Sequence, residues 1–228
     1  MNKTRIFHFY FLFSERRSMK TLLERYSDSL LSGLDTIPKK MDLIVKAGKA
    51  LAEAKLAGGR LLVYDRNYSL SYDCWTRGSG LYSITVYRRI EKAFKDGDAL
   101  ILASYHEGAP DDLIVARELR AKKNTRLVTI SPHAGKNKSG ELIHTLADVA
   151  IDNGCDESAG AFDIAGVKGK VLPTAREINF TINWSVQCEY IQEMIDHGCP
   201  PTLFYLVHFP YFKEMDAVMK KRAEKYGY

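Results

Sequence analysis

Apolar side chains recur at three- and four-residue steps over the first part of the chain. Within residues 43–54 the apolar positions are Leu43, Ile44, Ala47, Ala50, Leu51 and Ala54. This spacing places them on one face of a helix, and the helical pattern covers residues 19–56. Thr36 is a helix start signal within this stretch, and the two glycines at 58–59 end it. The sequence therefore predicts helices ahead of the first strand.

Beyond residue 60 the apolar positions form short runs rich in β-branched residues, separated by polar stretches of helical length. This alternation predicts strand–helix–strand crossovers and a parallel sheet. The five predicted strands cover residues 61–64, 82–86, 99–103, 127–130 and 149–151. The helices predicted between them cover residues 69–76, 88–95, 111–122 and 139–147. We therefore predict an α/β fold in which a doubly wound, five-stranded parallel sheet is flanked by helices.

A longer helix is predicted over residues 176–197, where apolar residues recur every four positions up to Met194. Gly198 and the two prolines that follow it end this helix. The aromatic stretch 203–211 is predicted to pack on the body as an arm, with an interface strand as the alternative. A charged helix to Tyr228 completes a C-terminal helical extension.

The composition is that of an ordinary globular protein, with 46% hydrophobic and 27% charged residues among 228. Of the formal net charge of +5, residues 1–18 carry four basic and one acidic side chain, so the rest of the chain is nearly balanced. No basic stripe with interleaved aromatic residues is present, which argues against nucleic-acid binding. We expect residues 19–228 to form one domain.

The apolar run at residues 6–13 is too short for a membrane span of about 20 residues, and the cleavage pattern of an export signal does not follow it. We interpret residues 1–18 as an extension without function and Met19 as the start of the domain. The four cysteines form no C-x-x-C pair, which is typical of reduced thiols. We therefore expect a cytoplasmic protein without a membrane partner.

Ligands of open parallel sheets bind outside the carboxyl ends of the strands, where helix N-termini attract anions. The loop after the third predicted strand holds Ser104, His106 and Glu107 next to Gly108. Ser104 can donate its hydroxyl to a phosphate, and His106 or Glu107 can move protons. The alternative is a solvated polar loop with a helix cap at Asp111.

His133 and His144 flank the next loop, but no tight spacing of the H-x-x-x-H kind supplies the further ligands of a metal site. Solvated or core histidines are the favoured interpretation. Neither a G-x-G-x-x-G nor a Walker pattern is present, which disfavours nucleotide binding. The sequence predicts no metal and no cofactor.

Three further segments resemble the sugar isomerase (SIS) domain family. They are LADVAIDNG at residues 146–154, GVKGK at 166–170, and the long helix that ends in GCPP at 198–201. The resemblance covers residues 20–228 and implies a flavodoxin-like strand order. It also implies a phosphorylated sugar as ligand and a homodimer or homotetramer as the assembly.

The chain departs from the family at its phosphate loops. The glycine-rich turn after the first strand is replaced by residues 65–69, where only Ser69 matches, and glycine normally lets a backbone approach a phosphate closely. In the loop after the third strand, Ser104 and Gly108 match. The best counterpart of the catalytic glutamate is Asp73, and the partner histidine on the long helix is missing, which weakens the case for catalysis.

Together these observations favour a phosphosugar-binding module that is non-catalytic or weakly catalytic. An aldose–ketose isomerase with a rearranged acid–base set and a structural homo-oligomer remain the alternatives. The candidate catalytic residues are Asp73, His106 and Glu107. The candidate ligand-binding residues are Asn67, Ser69, Ser104, Gly108, Ser131, His133, Thr174 and Arg176.

Overall fold

The structure is a computed structural model that describes residues 20–66, 69–76, 80–89, 93–133, 140–157, 160–204, 208 and 210–227. The interpretation of residues 1–18 as an extension, and the ligand-binding role of Asn67, concern residues outside these ranges. The division into a single domain over residues 19–228 stays a prediction.

Six helices and seven strands make up the described part of the chain. The helices are α1 (Leu22–Leu34), α2 (Met41–Leu56), α3 (Ser69–Thr76), α4 (Pro110–Arg120), α5 (Ala175–Asp196) and α6 (Phe212–Tyr226). The strands are β1 (Leu61–Asp65), β2 (Ile84–Val86), β3 (Ala99–Ala103), β4 (Arg126–Ser131), β5 (Val149–Asp152), β6 (Phe162–Asp163) and β7 (Lys170–Val171). Two 3₁₀ turns lie at Ile37–Lys40 and Ile143–Leu146.

The main sheet is five-stranded and parallel throughout, in the order β2-β1-β3-β4-β5, which confirms the predicted fold class. In this order the chain direction across the sheet reverses between β1 and β3, so the crevice at their carboxyl ends is the switch point where ligands of such folds bind. Asp65 and Ala103 are register partners there, so the loops that follow them share this edge. A small antiparallel pair, β6 and β7, lies apart from the main sheet.

Both faces of the sheet are buried, as expected for parallel strands covered by helices. All five residues of β1 and all five of β3 are buried, which explains their continuous apolar sequences. One core lies between the sheet and the apolar faces of α2 and α5, and includes Ile44, Leu51 and Ile182. The other core lies on the α4 side. The four-residue repeat predicted in α5 is therefore the stripe that packs on the sheet.

Local sequence signals set the ends of several helices. Thr21 caps α1 through a capping box, in which Thr21 Oγ1 accepts from the Glu24 amide at 3.2 Å and the Thr21 amide donates to Glu24 Oε2 at 2.6 Å. Gly58 follows α2 at φ 87°, a conformation that favours glycine. Pro110 occupies the first turn of α4.

The helix predicted over residues 139–147 is wrong in its described part, which contains only the 3₁₀ turn Ile143–Leu146. The backbone of this segment is held by Glu107 instead. The Ile143 amide donates to the Glu107 carbonyl at 3.1 Å, and the His144 amide donates to Glu107 Oε2 at 3.2 Å. These hydrogen bonds replace the ones that a helix would make.

The helix predicted over residues 88–95 is also wrong where the structure describes it, because Arg88, Arg89 and residues 93–95 are not helical. The Phe94 ring instead stacks on Tyr87 with centroids 4.0 Å apart. The Lys95 amide donates to the buried carboxylate of Asp98 at 2.7 Å. The stacking of Phe94 on Tyr87 and the hydrogen bond to Asp98 thus determine the backbone conformation of this segment.

The start of the predicted aromatic arm packs on the body. Leu203 forms an antiparallel bridge with Leu81, and the rings of Tyr82 and Phe204 lie 4.6 Å apart. The remainder of the arm is largely outside the described residues. Among the described helices, none combines the length and the apolar character that crossing a bilayer requires.

Candidate functional site

The anion position at the start of α3 is filled by a side chain of the protein. Asp65, at the end of β1, is 1% exposed, and its carboxylate accepts hydrogen bonds from the Ser71 amide at 2.8 Å and the Leu70 amide at 3.3 Å. These amides are the groups that a phosphate would use at this helix N-terminus. Ser69 begins α3, but its side chain is outside the described part. The ligand-binding roles of Asn67 and Ser69 stay predictions.

A second buried carboxylate lies on the other side of the switch point. Ser104 Oγ donates to Asp112 Oδ2 at 2.5 Å and accepts from the His106 amide at 3.1 Å. Burial raises the pKa of Asp112 to about 6. A cavity of about 380 Å³ opens beside this pair, and at its edge Arg66 pairs with Asp111 at 3.1 Å. The hydroxyl predicted to hold a phosphate is therefore engaged by an acid.

Glu107 organises the ends of β3 and β4. Its side chain is fully buried and accepts a hydrogen bond from Ser131 Oγ. Its other oxygen lies 2.7 Å from His144 Nδ1 and also accepts from the His144 amide. The structure thus brings the predicted residues Glu107 and Ser131 together and adds His144, which was not among the predicted site residues.

His133 completes this group of side chains. Its ring centroid lies 4.7 Å from that of His144, and its amide donates to Asp152 Oδ1 at 3.2 Å. Burial lowers the pKa of His133, which favours the neutral imidazole. Its Nε2 is buried and has no hydrogen-bond partner among the described residues. A neutral imidazole with an unused nitrogen is a potential ligand or base.

The predicted catalytic residues lie in two different places. Asp73 is on α3, where it faces Arg176 of α5 with Oδ2 and Nη2 3.5 Å apart. The Arg176 guanidinium also lies over the Phe180 ring, 5.1 Å from its centroid. His106 and Glu107 are instead in the loop after β3. Their catalytic roles, and the ligand-binding role of Arg176, stay predictions.

The exposed side of the loop after β3 is held by another acid. The Glu107 amide donates to Glu157 Oε1 at 2.9 Å, and His106 Nδ1 lies 3.4 Å from the same oxygen. The Gly108 amide donates to His106 Nδ1 at 3.2 Å. The ring of His106 therefore faces Glu157, while the side chain of Glu107 faces Ser131 and His144.

A separate polar cavity of about 280 Å³ lies at the start of α5. It is bounded by α1, the loop after β5 and the residues that lead into α5. Four of its lining residues carry hydroxyls: Ser29, Ser32, Thr36 and Thr174. Thr174 is the N-cap residue of α5 but makes no side-chain capping hydrogen bond. Thr174 therefore does not cap the first-turn amides of this 22-residue helix with its side chain.

Charged groups of both signs lie around this cavity, and the first turn of α5 itself carries an acid, Glu177. Lys40 Nζ donates to Thr36 Oγ1 at 2.8 Å, which places an amino group behind the lining hydroxyl. The carboxylate of Asp156 is paired with Lys170 at 2.5 Å. Burial raises the pKa of the Cys155 thiol to about 11, so it stays uncharged near neutral pH.

Sequence reasoning anticipated only Thr174 among the four hydroxyl residues of this cavity. Ser29, Ser32 and Thr36 follow the three- and four-residue spacing of a helix face, and that polar stripe is the signal that could have indicated them. The sequence singled out His144 only as one of two histidines that flank a loop, since its contact with Glu107 joins residues 37 positions apart.

The chain is similar to several known proteins in sequence and in structure. No protein-family model matches the chain. Curated relatives include UPF0309 proteins of Brucella canis and Brucella abortus, each 25% identical over 219 residues, which covers 80% of this chain and 88% of the relative. A proposed sugar-phosphate isomerase of Listeria monocytogenes is similar in structure, with a TM-score of 0.47 and 14% identity over 96% of this chain and 98% of that one. A Methanococcus jannaschii protein, whose structure infers a 3-hexulose-6-phosphate isomerase function, has a TM-score of 0.45 and 14% identity over 77% and 90% of the two chains.

Proposed function

We propose that the chain is a binding module for a small phosphorylated sugar, with little or no catalytic activity of its own. The observation that carries this proposal is the polar cavity at the start of α5, into which an N-terminus without a side-chain cap opens. The ligand class follows the resemblance of the sequence to sugar isomerase domains.

The anionic group of the ligand is proposed to bind the first-turn amides of α5. These amides and the positive end of the helix dipole attract a phosphate. The amino group of the half-buried Lys40, which donates to Thr36 Oγ1, adds positive charge on the same side. The acids at the starts of α3 and α4 make the switch point between β1 and β3 a poorer place for the same group.

The sugar is proposed to contact the hydroxyl-bearing wall of the cavity. Ser29 and Ser32 of α1 provide donors and acceptors that can exchange hydrogen bonds with a polyol. A volume of about 280 Å³ is at the small end for ligand pockets, which favours a single sugar unit.

An aldose–ketose isomerase is the second candidate, favoured by the contact of Glu107 with His144. A buried carboxylate that orients an imidazole is a common arrangement in general acid–base catalysis. In this case the sugar phosphate binds beside Glu107 and His144 instead of in the cavity at α5, and a His144→Gln variant loses the interconversion of aldose and ketose phosphates, followed by NMR. Absence of interconversion in the wild-type protein excludes this candidate.

We propose the cellular compartment of the protein from its cysteines, and its assembly from the resemblance of its sequence. All four cysteines are free, as expected for a reducing compartment such as the cytoplasm. We also propose a homodimer or homotetramer, as the resemblance implies. No nucleic acid, membrane or cofactor is part of the proposed function.

Binding is tested by thermal unfolding with sugar phosphates, the matching free sugars and inorganic phosphate. A ligand that binds only the folded state at a hundredfold excess over Kd stabilises it by about 2.7 kcal/mol. We expect this stabilisation with at least one sugar phosphate and less with its free sugar.

The site is tested by Ser32→Asp, which introduces a negative charge into the cavity wall, and by Ser27→Asp as a control on the same helix. Ser27 is not among the residues that line the cavity. We expect about tenfold weaker binding or more in Ser32→Asp, since electrostatic repulsion of about 1.4 kcal/mol has this effect, and no change in Ser27→Asp. No stabilisation by any sugar phosphate, or equal affinity in the two variants, contradicts the proposal.

A further inference from the structure

Glu107, His133 and His144 come from three separate segments and meet at the carboxyl edge of the sheet. Glu107 follows β3, His133 follows β4, and His144 lies in the 3₁₀ turn ahead of β5. We propose that these three side chains bind a divalent transition-metal ion, with Zn²⁺ as the expected ion. This site is separate from the polar cavity at the start of α5, because none of the three residues lines that cavity.

The geometry of the cluster suits such an ion after small adjustments. One ligand atom from each residue lies within 4.8 Å of the other two. Tetrahedral zinc with bonds of about 2.0–2.1 Å holds its ligand atoms about 3.4 Å apart. We expect rotations of the imidazoles about their side-chain torsions to bring the three ligand atoms to this separation.

An unused nitrogen points to a ligand at this place. Nε2 of His133 is buried and has no hydrogen-bond partner among the described residues. Buried polar atoms without a partner are uncommon in native proteins and require an explanation. A bound cation gives this lone pair a partner, and the two imidazoles and one carboxylate form a ligand set of the kind that binds catalytic zinc.

The residues around the cluster hold the ligands in position. Ser131 Oγ and the His144 amide both donate to the Glu107 carboxylate. The His133 backbone is held by Asp152, whose Oδ1 also accepts from the Gly154 amide at 2.8 Å. Hydrogen bonds of this type orient metal ligands and strengthen binding.

The contact between Glu107 and His144 is the metal-free form of the site. In it Glu107 Oε2 and His144 Nδ1 are hydrogen-bonded to each other, 2.7 Å apart. A bound cation takes the place of this direct contact between the two ligands. The side chain of His144 is 28% exposed, so an ion and a water molecule can reach the cluster. Three protein ligands leave the fourth position of a tetrahedral ion to that water.

The test uses the full-length, tag-free protein after treatment with a chelator, titrated with Zn²⁺ by calorimetry and with Co²⁺ by visible absorption. We expect one equivalent to bind and the Co²⁺ spectrum to show tetrahedral nitrogen and oxygen ligation. His133→Gln and His144→Gln should each weaken Zn²⁺ binding at least 100-fold. His197→Gln, which changes an exposed histidine at the end of α5, should bind as the wild type does.

Lack of saturable Zn²⁺ binding by the wild-type protein overturns the proposal. So do unchanged affinity in the two glutamine variants and a thiolate charge-transfer band, which would place the Co²⁺ ion on a cysteine. Circular dichroism checks that the variants fold. If they do not, the anomalous signal of Zn²⁺ in wild-type crystals decides, since its peak must lie among Glu107, His133 and His144. Sugar binding is measured separately, in the Ser32 and Ser27 variants. The metal site and the sugar-binding function can therefore be contradicted independently of each other.

Discussion

Two aspartates occupy the positions at which a doubly wound fold usually offers its amides and hydroxyls to an anion. Asp65 caps α3 from the end of β1, and Asp112 engages the hydroxyl of Ser104. Each carboxylate provides internally the negative charge that a helix N-terminus favours. Asp65 and Asn67 stand where the family that the sequence resembles has glycines. The replacement of a glycine by Asp65 therefore both changes the loop and places a carboxylate at the start of α3.

Asp112 makes the stability of the protein depend on pH. Burial raises its pKa from 3.8 to about 6 in the folded state, so the folded protein retains this proton to higher pH than the unfolded chain. The contribution is therefore fully present below pH 3.8 and is lost as the pH rises through about 6. The difference between 3.8 and about 6 is worth about 3 kcal/mol.

Asp112→Asn should remove this dependence, because an amide does not ionise in the same range. We expect the variant to be more stable than the wild type by about 1–3 kcal/mol at pH 8. The two proteins should converge at low pH. The measurement is the free energy of urea unfolding between pH 4 and pH 8. Asp111→Asn, at the exposed neighbour that pairs with Arg66, is the control, and parallel curves for Asp112→Asn and the wild type contradict the prediction.

At the residue scale, the sequence indicated which loops could carry functional side chains. It did not indicate which of these side chains would be in contact with one another. Loop position after a strand was enough to select Ser104, His106 and Glu107. Their partners were not accessible, because the contact of Glu107 with His144 crosses 37 positions and depends on how a 3₁₀ turn packs on β4. Asp112, the acid that faces Ser104, is closer to its partner in the sequence than His144 is to Glu107. Its burial, however, follows only from the fold.

At the element scale, periodicity predicted the strands and the long helices and failed for short segments with strong tertiary contacts. The residues of β1 and β3 are apolar without interruption because both faces of the sheet are covered. The segments 88–95 and 139–147 have helical composition, but Asp98 and Glu107 accept hydrogen bonds from their backbones. Local propensity is a weak prior against such acceptors.

The packing of α2 on α5 depends on a glycine inside a helix. A Cβ atom at Gly48 would lie 2.5 Å from Glu189 Cβ and 2.7 Å from the Tyr190 amide nitrogen. Alanine normally stabilises a helix interior by up to about 1 kcal/mol relative to glycine. We expect Gly48→Ala to destabilise the protein by about 1–3 kcal/mol instead, because neither helix can move without disturbing the core.

Urea unfolding measures this effect, with Gly33→Ala in α1 as the matched control. A Cβ atom at Gly33 would meet only the side chain of Ile178, whose end atom can rotate away. The cost of Gly33→Ala should therefore be smaller than that of Gly48→Ala. Wild-type stability or better in Gly48→Ala would show that the helices do not depend on this close approach.

At the scale of the whole molecule, the alternation of strands and helices was sufficient to predict the parallel sheet, and the resemblance supplied the strand order. The location of the polar cavity could not be predicted, because α1 reaches it from the start of the described chain while α5 begins about 140 residues later. Crossovers of this kind bring distant segments to one edge of the sheet. The candidate anion position therefore depends on the tertiary arrangement.

Helix α1 also carries apolar side chains on the side away from the core. Leu30 and Leu34 pack on the core, whereas Leu22, Leu23 and Leu31 are 47%, 74% and 58% exposed. Leu22 and Leu23 also line a shallow apolar depression to which Tyr26, Leu172 and Pro173 contribute. Contiguous exposed apolar surface of this kind is typical of subunit contacts. This face is therefore our candidate interface for the proposed homo-oligomer.

Covering a large aliphatic side chain is worth about 1.5–3 kcal/mol, so a contact through several leucines is sensitive to one added charge. We expect the wild-type protein to form dimers or tetramers at micromolar concentration, and Leu23→Glu to shift it toward the monomer by at least tenfold in dissociation constant. Light scattering and sedimentation measure both. Ile195→Glu, at an exposed apolar position near the end of α5, should keep the assembly, since it changes the same kind of side chain outside α1. A wild-type protein that is monomeric contradicts the proposed oligomer. An unchanged assembly in Leu23→Glu shows that any interface lies elsewhere, because an apolar contact cannot accommodate a glutamate that is buried without a partner.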